Sequence, residues 1–477
     1  MKRAGIFLLA ILMFRYGQTQ IKGNVFAAAD RKVMPSKYYS MLYADQVKDT
    51  AGNNKMMASH WQNKGGGLFV WQKEISTEGD YEAAMGYAAT RAGTLATLSS
   101  GTDDSLRAEL VVTSGYYPAK SGWYTFNCEQ RQLPGVLHLK KGLQTISLRL
   151  ITKDKDDETL LYAIALIPVT KKNEIRQDSL LAEKSRVRAD WFADAGYGVM
   201  FHWTSQVMPE HGAPKPYAQA VADFPVEDFV NRVVKTGAAY VILTTNHAEP
   251  YFPAPLTQWE KVYPGHTTRR DLVEEIADGL QKHHIRLFLY LATHVYSRYD
   301  SVDDETFNRL NTGLIREIGE RYKKKVAGFW FDGWYQCYEK HPGFDFEQFY
   351  KTCKTGNPER MVALNSWLYP IVSNWQDYWA GEVYTLGNPV SHRIMQDGPG
   401  RGLQSHDLVV METENWLHTD RDTKIPKPHL KAEELARFIL QSKGKGPVTV
   451  NMQIYQDGRM GDEALELMEQ VNKMVHP

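Results

Sequence analysis

The chain has little cysteine, no surplus of either charge and few long apolar runs. Only 3 of its 477 residues are cysteines, so a disulfide-rich scaffold is excluded. Their wide spacing, at Cys128, Cys337 and Cys353, also argues against a structural zinc site. Cys337 and Cys353 could form one disulfide in an oxidising compartment. We favour three buried thiols.

The charges balance, with 56 basic and 56 acidic residues. A nucleic-acid-binding protein usually carries a basic surplus on one domain or face, so we exclude that class of partner. Aromatic residues are abundant instead, with 12 Trp and 26 Tyr. A large core accounts for many of them, but carbohydrate-handling proteins also use aromatic faces against sugar rings. We expect no cofactor and no metal.

The N-terminus, MKRAGIFLLAILMFRYGQTQ, has a basic start, an apolar stretch from Ile6 to Phe14 and then polar residues. This is the layout of a secretory signal, and the apolar stretch is shorter than the roughly 20 residues that a membrane helix needs. We therefore predict a signal peptide and leader over residues 1–29. The mature protein would be exported, to the periplasm or the extracellular space, without a membrane span.

Residues 30–170 contain short segments of alternating apolar and polar residues, broken by Gly, Asn and Asp, with no long amphipathic helix. This pattern predicts an antiparallel β-sandwich. The stretch GVLHLKKGLQTISLRLI resembles the closing hairpin of jelly-roll carbohydrate-binding modules, with two strands around a Lys-Lys-Gly turn. Residues 171–188 are highly charged and predict a linker that is partly helical.

From residue 189 to 477, strand-like apolar runs alternate with helical patterns, which indicates βα units around a parallel sheet. Seven runs are candidates, and the stretch near Tyr378–Tyr384 would supply an eighth, irregular strand. This is the size of a (β/α)8 barrel. A doubly wound open sheet is the alternative, disfavoured because no Gly-rich phosphate loop follows the first strand. The candidate strands are residues 196–202, 238–245, 284–291, 326–331, 361–364, 407–412 and 447–452.

Polar residues follow all seven candidate strands, where the carboxyl ends of barrel strands form active sites. They are His202, Asn246 with His247, Thr293 with His294, Asp332, Asn365, Glu412 and Asn451. Trp and Tyr residues lie close by, as in a pocket that stacks aromatic rings on a sugar. Two other readings stay open. Each polar residue could be a structural hydrogen-bonding group, or His202, His247 and His294 could hold a metal.

Several motifs resemble the α-L-fucosidases of glycoside hydrolase family 29. The run WFADAGYGVMFHWT is similar to the start of that family's barrel, and GAAYVILTTNHAEPYF is similar to its GAKYVVLTTKHHDGF segment. RDLVEEIADGLQKHHIRLFLYLA, GFWFDGWY and KGKGPVTVNMQIYQDGRM resemble later family segments in the same order. The resemblance covers residues 191–477.

The resemblance implies a retaining glycosidase with Asp332 as the nucleophile. Glu382, in DYWAGEVY, matches the family's acid/base, with Glu412 and Glu414 as rivals. It also implies that His202, His247, Tyr290 and Trp330 bind the substrate. We expect Glu412 and the nearby aromatic residues Trp203 and Trp416 to bind it as well.

Other positions depart from the family pattern. Ala248 stands in place of the second His of a His-His pair, Thr204 replaces a Gly, and an expected Arg is absent from LNSWLYP. We therefore expect an exo-acting hydrolase of terminal α-L-fucose, or of a similar L-sugar such as L-galactose, acting on oligosaccharides or glycoconjugates. The alternative is a catalytically silent carbohydrate-binding protein.

Overall fold

The structure is a computed structural model. It describes residues 40–43, 61–62, 67–89, 92–101, 104–112, 129–153, 158–188, 190–292, 302–333, 341, 343–365, 373–382, 386, 389–396, 401–412 and 416–477. The expected signal peptide and leader over 1–29, together with Cys128 and Cys337, lie outside these residues. Cys353 is a buried free thiol, as predicted.

The described residues form two compact units that divide between Leu180 and Leu181. The division falls inside the segment 171–188 that was expected to be a linker. Most of that segment is helix α1, Lys172–Ser185.

The first unit consists of two antiparallel sheets. Their strands are β1 (Ser40–Tyr43), β2 (Trp61–Gln62), β3 (Gly67–Ile75), β4 (Gly79–Ala89), β5 (Leu95–Ser99), β6 (Ser105–Glu109), β7 (Glu129–Leu139), β8 (Gly142–Ile151) and β9 (Glu158–Pro168). One sheet has the order β1-β9-β4-β7 with β2 on β9, and the other has the order β3-β8-β5-β6. Buried side chains from both sheets form one hydrophobic cluster, so the sheets share a core.

The alternation predicted for these strands is confirmed in β8. Ile146, Leu148 and Leu150 point into the core, while Thr145 and Arg149 are exposed. The predicted hairpin is wrong, however. β7 is hydrogen-bonded to β4, whereas β8 is hydrogen-bonded to β3 and β5, so the Lys-Lys-Gly turn carries the chain from one sheet to the other.

The second unit is built on a curled parallel sheet of seven strands. They are β10 (Tyr197–Phe201), β11 (Tyr240–Asn246), β12 (Arg286–Ala292), β13 (Val326–Asp332), β14 (Met361–Leu364), β15 (Asp407–Val410) and β16 (Val448–Asn451). Every strand coincides with a predicted one. The sheet order is β14-β13-β12-β11-β10-β16-β15, so the first and last strands in the chain are neighbours in the sheet.

The described residues of this unit also form nine helices, which separate most of its strands along the chain. They are α2 (Asp190–Asp194), α3 (Tyr217–Asp223), α4 (Val226–Thr236), α5 (Thr257–Val262), α6 (Leu272–Gln281), α7 (Asp304–Tyr322), α8 (Phe346–Cys353), α9 (Ala432–Ser442) and α10 (Asp462–Val475). Sequence signals locate several ends. Asp271 and Asp303 cap α6 and α7 by accepting bonds from the backbone N–H of Glu274 and Thr306.

An irregular segment, residues 373–382, is bonded to both β14 and β15. On the β14 side, the backbone N–H of Asp377 donates to the carbonyl of Val362 over 2.7 Å. On the β15 side, the N–H of Leu408 donates to the carbonyl of Gly381 over 2.7 Å. Side chains replace missing backbone acceptors, because Asp377 Oδ2 and Gln376 Oε1 accept the N–H groups of Val362 and Leu364.

The interior of the curled sheet is filled with large side chains, so the sheet encloses a packed core. Strand residues such as Tyr240, Phe288 and Trp330 contribute to it, and Phe192 of α2 packs against Tyr240 and Phe288. Polar side chains that follow the strands are therefore confined to the sheet edges.

Candidate active site

Asp332 and Glu382 are brought together by one amide. Asp332 ends β13, and Glu382 ends the segment 373–382. The Nδ2 atom of Asn365 donates to Asp332 Oδ1 over 2.9 Å and to Glu382 Oε2 over 2.6 Å. Because both oxygens contact the same nitrogen, at 2.9 and 2.6 Å, Asp332 Oδ1 and Glu382 Oε2 are at most 5.5 Å apart.

Asn365 owes its position to the sheet. It follows β14 directly, and its backbone N–H donates to the carbonyl of Phe331 over 2.7 Å, which extends the β13–β14 ladder by one bond. The side chain is 1% exposed. Sequence reasoning noticed Asn365 as one strand-end residue but missed its bridging role, because an uncharged amide carries no signal of contact with two carboxylates.

The second oxygen of Asp332 is held by Tyr290. The Tyr290 hydroxyl donates to Asp332 Oδ2 over 2.6 Å. Tyr290 lies on β12, paired in register with Trp330 of β13, and the two rings stack at 5.0 Å with 16° between their planes. The Trp330 indole N–H donates to the carbonyl of Ala380 over 3.1 Å. Tyr290 and Trp330 therefore support both carboxylates, one directly and the other through the backbone before Glu382.

The backbone before Glu382 is fixed by its neighbours. Gly381 has a φ of +69°, and a Cβ placed there would lie 2.1 Å from the carbonyl oxygen of His406. Only glycine meets both conditions, since the left-handed region and the close approach each exclude a side chain. A parallel bridge pairs the backbone of Glu382 with Leu408 of β15.

His202 lies beside the carboxylate pair. It follows β10, is 3% exposed, and has its Nδ1 atom 2.8 Å from Asn451 Oδ1. Asn451 Nδ2 donates to the carbonyl of Trp416, which leaves Oδ1 to accept from the His202 ring. Burial lowers the pKa of His202 to about 4, against the favourable charge of Asp332. The ring is therefore neutral at neutral pH, with its hydrogen on Nδ1 and a lone pair on Nε2.

His247 and Trp416 complete a cluster of rings around His202. The His202 ring centre is 5.7 Å from that of His247, 5.0 Å from that of Tyr290 and 5.6 Å from that of Trp416. Both His247 and Trp416 are half-buried, as are Asp332 and Glu382. Six of the nine predicted site residues thus lie in contact with at least one other, and Glu382 joins them through Asn365.

Trp203 and Glu412 have other partners. The Trp203 ring packs on Phe224 and Tyr217, and its indole N–H donates to the carbonyl of Gln456 over 3.0 Å. Glu412 is 1% exposed and accepts the backbone N–H of Gln453 over 3.1 Å. Burial raises the pKa of Glu412 to about 8. A substrate-binding role for either residue stays a prediction.

Asn246 is a structural group. Its side chain donates to the carbonyl of Ala292 over 3.0 Å and accepts that residue's N–H over 3.3 Å, at a register shift between β11 and β12. Two other strand-end positions, Thr293 and His294, and the rival acid Glu414 lie outside the described residues. Within the described part of the chain, no group of three or more His, Cys, Asp or Glu side chains could hold a metal ion.

Two carboxylates held this closely at the carboxyl edge of a parallel sheet are the arrangement that glycoside hydrolases use. A family profile described as Alpha-L-fucosidase matches residues 217–474, more than half of the chain. The chain belongs to the alpha-L-fucosidase family.

Relatives align over shorter stretches. Tissue alpha-L-fucosidase of Bos taurus is 27% identical over 194 residues, covering 32% of this chain and 41% of the relative. The same-named protein of Macaca fascicularis is 30% identical over 139 residues, covering 22% and 29%. The chain thus spans less than half the length of these curated relatives.

Solved structures are similar as well. A family 29 alpha-L-fucosidase from Bacteroides thetaiotaomicron, solved as a trapped covalent intermediate, superposes with a TM-score of 0.45 and 17% identity, covering 61% of this chain and 76% of that chain.

Among the residues that our structure describes, none of the helices has the length and apolar character needed to cross a membrane.

Proposed function

We propose that the protein is a retaining, exo-acting glycoside hydrolase that removes terminal α-L-fucose from oligosaccharides or glycoconjugates. The carboxylate pair carries this proposal. Retaining enzymes keep their two carboxyl groups about 5–5.5 Å apart, whereas inverting enzymes need roughly 6.5–9.5 Å to admit a water. The contacts of Asn365, at 2.9 and 2.6 Å, keep an oxygen of Asp332 within 5.5 Å of an oxygen of Glu382.

Asp332 would act as the nucleophile and Glu382 as the acid/base. Asp332 accepts hydrogen bonds on both oxygens, from Tyr290 and Asn365, and these bonds would orient the carboxylate that attacks the anomeric carbon. Glu382 would protonate the departing oxygen and then deprotonate the incoming water. Glu412 is a weaker candidate for the acid, because its bond to the backbone of Gln453 ties it to a different part of the sheet edge.

His202, His247 and Trp416 would bind the sugar. A neutral His202, with Nδ1 engaged by Asn451, offers Nε2 to a ring hydroxyl. The half-buried rings of His247 and Trp416 supply apolar faces for a deoxy sugar. The departures at Thr204 and Ala248 make L-galactose, which adds one hydroxyl to fucose, the second sugar to test.

The architecture around this site is part of the proposal. The bonds of residues 373–382 to β14 and β15 support an eight-stranded (β/α)8 barrel over 189–477, with that segment as the irregular sixth strand. The two antiparallel sheets that share a core support a jelly-roll-like sandwich over 30–170. Signal-like residues 1–29 support export to the periplasm or the extracellular space.

The test is a panel of nitrophenyl α-L-fucoside, α-L-galactoside and D-arabinoside with the purified full chain. We expect the fucoside to be cleaved fastest, and the first sugar product seen by proton NMR to be the α-anomer. Release of the β-anomer would refute a retaining mechanism. Sugar binding without turnover on any member of the panel would instead support the catalytically silent alternative.

Glu382→Ala separates the acid/base from its rivals. The variant should lose most activity on substrates with poor leaving groups, and added azide should restore part of the rate on nitrophenyl substrates. Glu412→Ala serves as the matched control, since it removes a buried carboxyl that has a backbone partner. Azide rescue of Glu412→Ala, and not of Glu382→Ala, would assign the acid to Glu412.

A further inference from the structure

Asn365 contacts both carboxyl groups through a single nitrogen. That nitrogen carries two hydrogens, so each carboxyl can receive one. The contacts are 2.9 Å to Asp332 and 2.6 Å to Glu382, both within the range of hydrogen bonds to charged acceptors. The backbone N–H of Asn365 is bonded to the carbonyl of Phe331, so the amide is held in place by the sheet itself.

The position of the negative charge changes during a retaining reaction. In the first step an oxygen of Asp332 bonds to the anomeric carbon, the bond from that carbon to the glycosidic oxygen breaks, and the proton of Glu382 goes to the departing oxygen. Asp332 thereby loses its charge as an ester, and Glu382 becomes a carboxylate. In the second step water attacks the same carbon, the ester bond breaks, and a water proton returns to Glu382. The pair carries one negative charge throughout, but on alternate residues.

We propose that Asn365 is a catalytic residue that stabilises this charge on whichever carboxyl holds it, Asp332 before the first step and Glu382 after it. A donor fixed between the two groups needs no rearrangement as the charge moves, which is the advantage of a preorganised site. The inference rests on the proposed retaining function, because only that mechanism alternates the charge between the two residues.

Other described residues also contact the pair or the backbone beside it. The Tyr290 hydroxyl donates to Asp332. The negative charge of Asp332 also acts on the His202 ring and favours its protonated form, although burial outweighs this effect. Trp330 and His406 donate to the carbonyl of Ala380, a backbone group two residues before Glu382. Asn365 contacts both carboxyls directly, so its loss should affect both of them together.

The experiment measures the titration of the two carboxyls in Asn365→Ala by carbon-13 NMR, with assignments from Asp332→Asn and Glu382→Gln. The variant lacks the donor that contacts both carboxyls, so the two carbon-13 titration curves should move together to higher pH. The kcat/KM profile of a fucoside should move to higher pH at both limbs, and its maximum should fall roughly tenfold to a hundredfold. A folded variant with unmoved carboxyl titrations would overturn the proposal.

Asn357→Ala is the matched control. Asn357 is also a buried asparagine, 5% exposed, but its Nδ2 donates to the carbonyl of Val326 at the opposite end of β13. We expect it to lower thermal stability without shifting either limb of the pH profile. An equal shift in Asn357→Ala would show that the effect comes from loosened packing, and would overturn the role of Asn365.

A measurement on the unmodified protein covers the case in which Asn365→Ala does not fold. With asparagine selectively labelled with nitrogen-15, the two side-chain protons of Asn365 should shift as the carboxyls titrate between about pH 3 and pH 8. Protons that stay fixed over that range would refute the bridge. These titrations do not require turnover. If the wild-type protein is inactive on fucosides, the proposed function is refuted, but the contacts of Asn365 can still be measured.

Discussion

The two edges of the parallel sheet bury similar polar side chains but give them different partners. At the amino edge, Asn357 and Arg360 both donate to the carbonyl of Val326, the first residue of β13. At the carboxyl edge, Asn365 and Tyr290 donate to the carboxylate of Asp332, the last residue of the same strand. The donors at the start of β13 satisfy the backbone, and those at its end hold an ionisable side chain.

Arg360 shows the amino-edge arrangement most clearly. The side chain is 0% exposed, and its guanidinium also donates to the carbonyls of Cys353, Thr355 and Lys323. Burial lowers the pKa of Arg360 to about 10, so the group stays charged at neutral pH. Asp332, by contrast, is half-buried. Changes to the donors at the start of β13 should therefore affect stability, and changes to Asp332 and its donors at the end of that strand should affect turnover.

The largest effect is expected for Asp332→Ala. The variant should lose at least about a thousandfold in kcat on a nitrophenyl fucoside, because the covalent step has no nucleophile. Thermal unfolding should change little, since a half-buried carboxylate is replaced. Retained activity within about tenfold of wild type, a barrier change of only about 1.4 kcal/mol, would contradict the nucleophile assignment.

Arg360→Ala tests the opposite edge. Removal of the guanidinium leaves several buried carbonyls without donors, which should reduce the free energy of unfolding by about 3–5 kcal/mol. Urea unfolding gives this value, and kcat per folded molecule should stay near that of wild type. A loss of kcat with unchanged stability would contradict the purely structural role that we assign to Arg360.

Glu412→Gln tests a carboxyl group that is bonded to the backbone, and its effect on stability should depend on pH. The folded state keeps the Glu412 proton up to a pKa of about 8, whereas the unfolded chain loses it near 4.5. Wild-type stability is therefore lost as pH rises from 4.5 through 8, and Gln removes this loss. At pH 8 the variant should be more stable than wild type by about 4 kcal/mol, with little difference at pH 4. Urea unfolding at both values measures it, and equal curves at pH 8 would show that Glu412 is ionised in the folded protein.

Tyr290→Phe should have the smallest effect. Loss of the hydroxyl removes one hydrogen bond to Asp332, worth about 1.5–2 kcal/mol for a charged acceptor. The acidic limb of kcat/KM should move to higher pH while the basic limb stays in place, because the lost hydrogen bond goes to Asp332. Movement of both limbs would mean that Tyr290 also acts on Glu382.

Much of the sheet could be predicted because strand composition is local. All seven parallel strands follow from buried apolar runs between helical patterns, and Asp332 and His202 follow from their positions at strand ends. The segment 373–382 was only partly predictable. Its side chains Gln376 and Asp377 replace backbone acceptors, and a side chain that acts as backbone has no periodic signal.

In both units it was harder to predict which strands pair and which side chains bond to one another. Alternation in β7 and β8 shows which residues face the core but not which strand lies alongside, so a hairpin was predicted where the chain changes sheets. The same limit applies to strand-end polar residues. Asn246, Asn365 and Asn451 look alike in sequence, yet they bond to a backbone, to two carboxylates and to His202.

The central claim, that the carboxyl edge holds a nucleophile and an acid/base at retaining distance, is tested most directly by trapping the covalent step. The protein is incubated with 2-fluoro-fucosyl fluoride and digested, and its peptides are examined by mass spectrometry. We predict one fluorofucosyl group on the peptide that contains Asp332, and none in Asp332→Ala. An adduct on Glu382 or Glu412, or no adduct from a sample that turns over fucosides, would contradict the account.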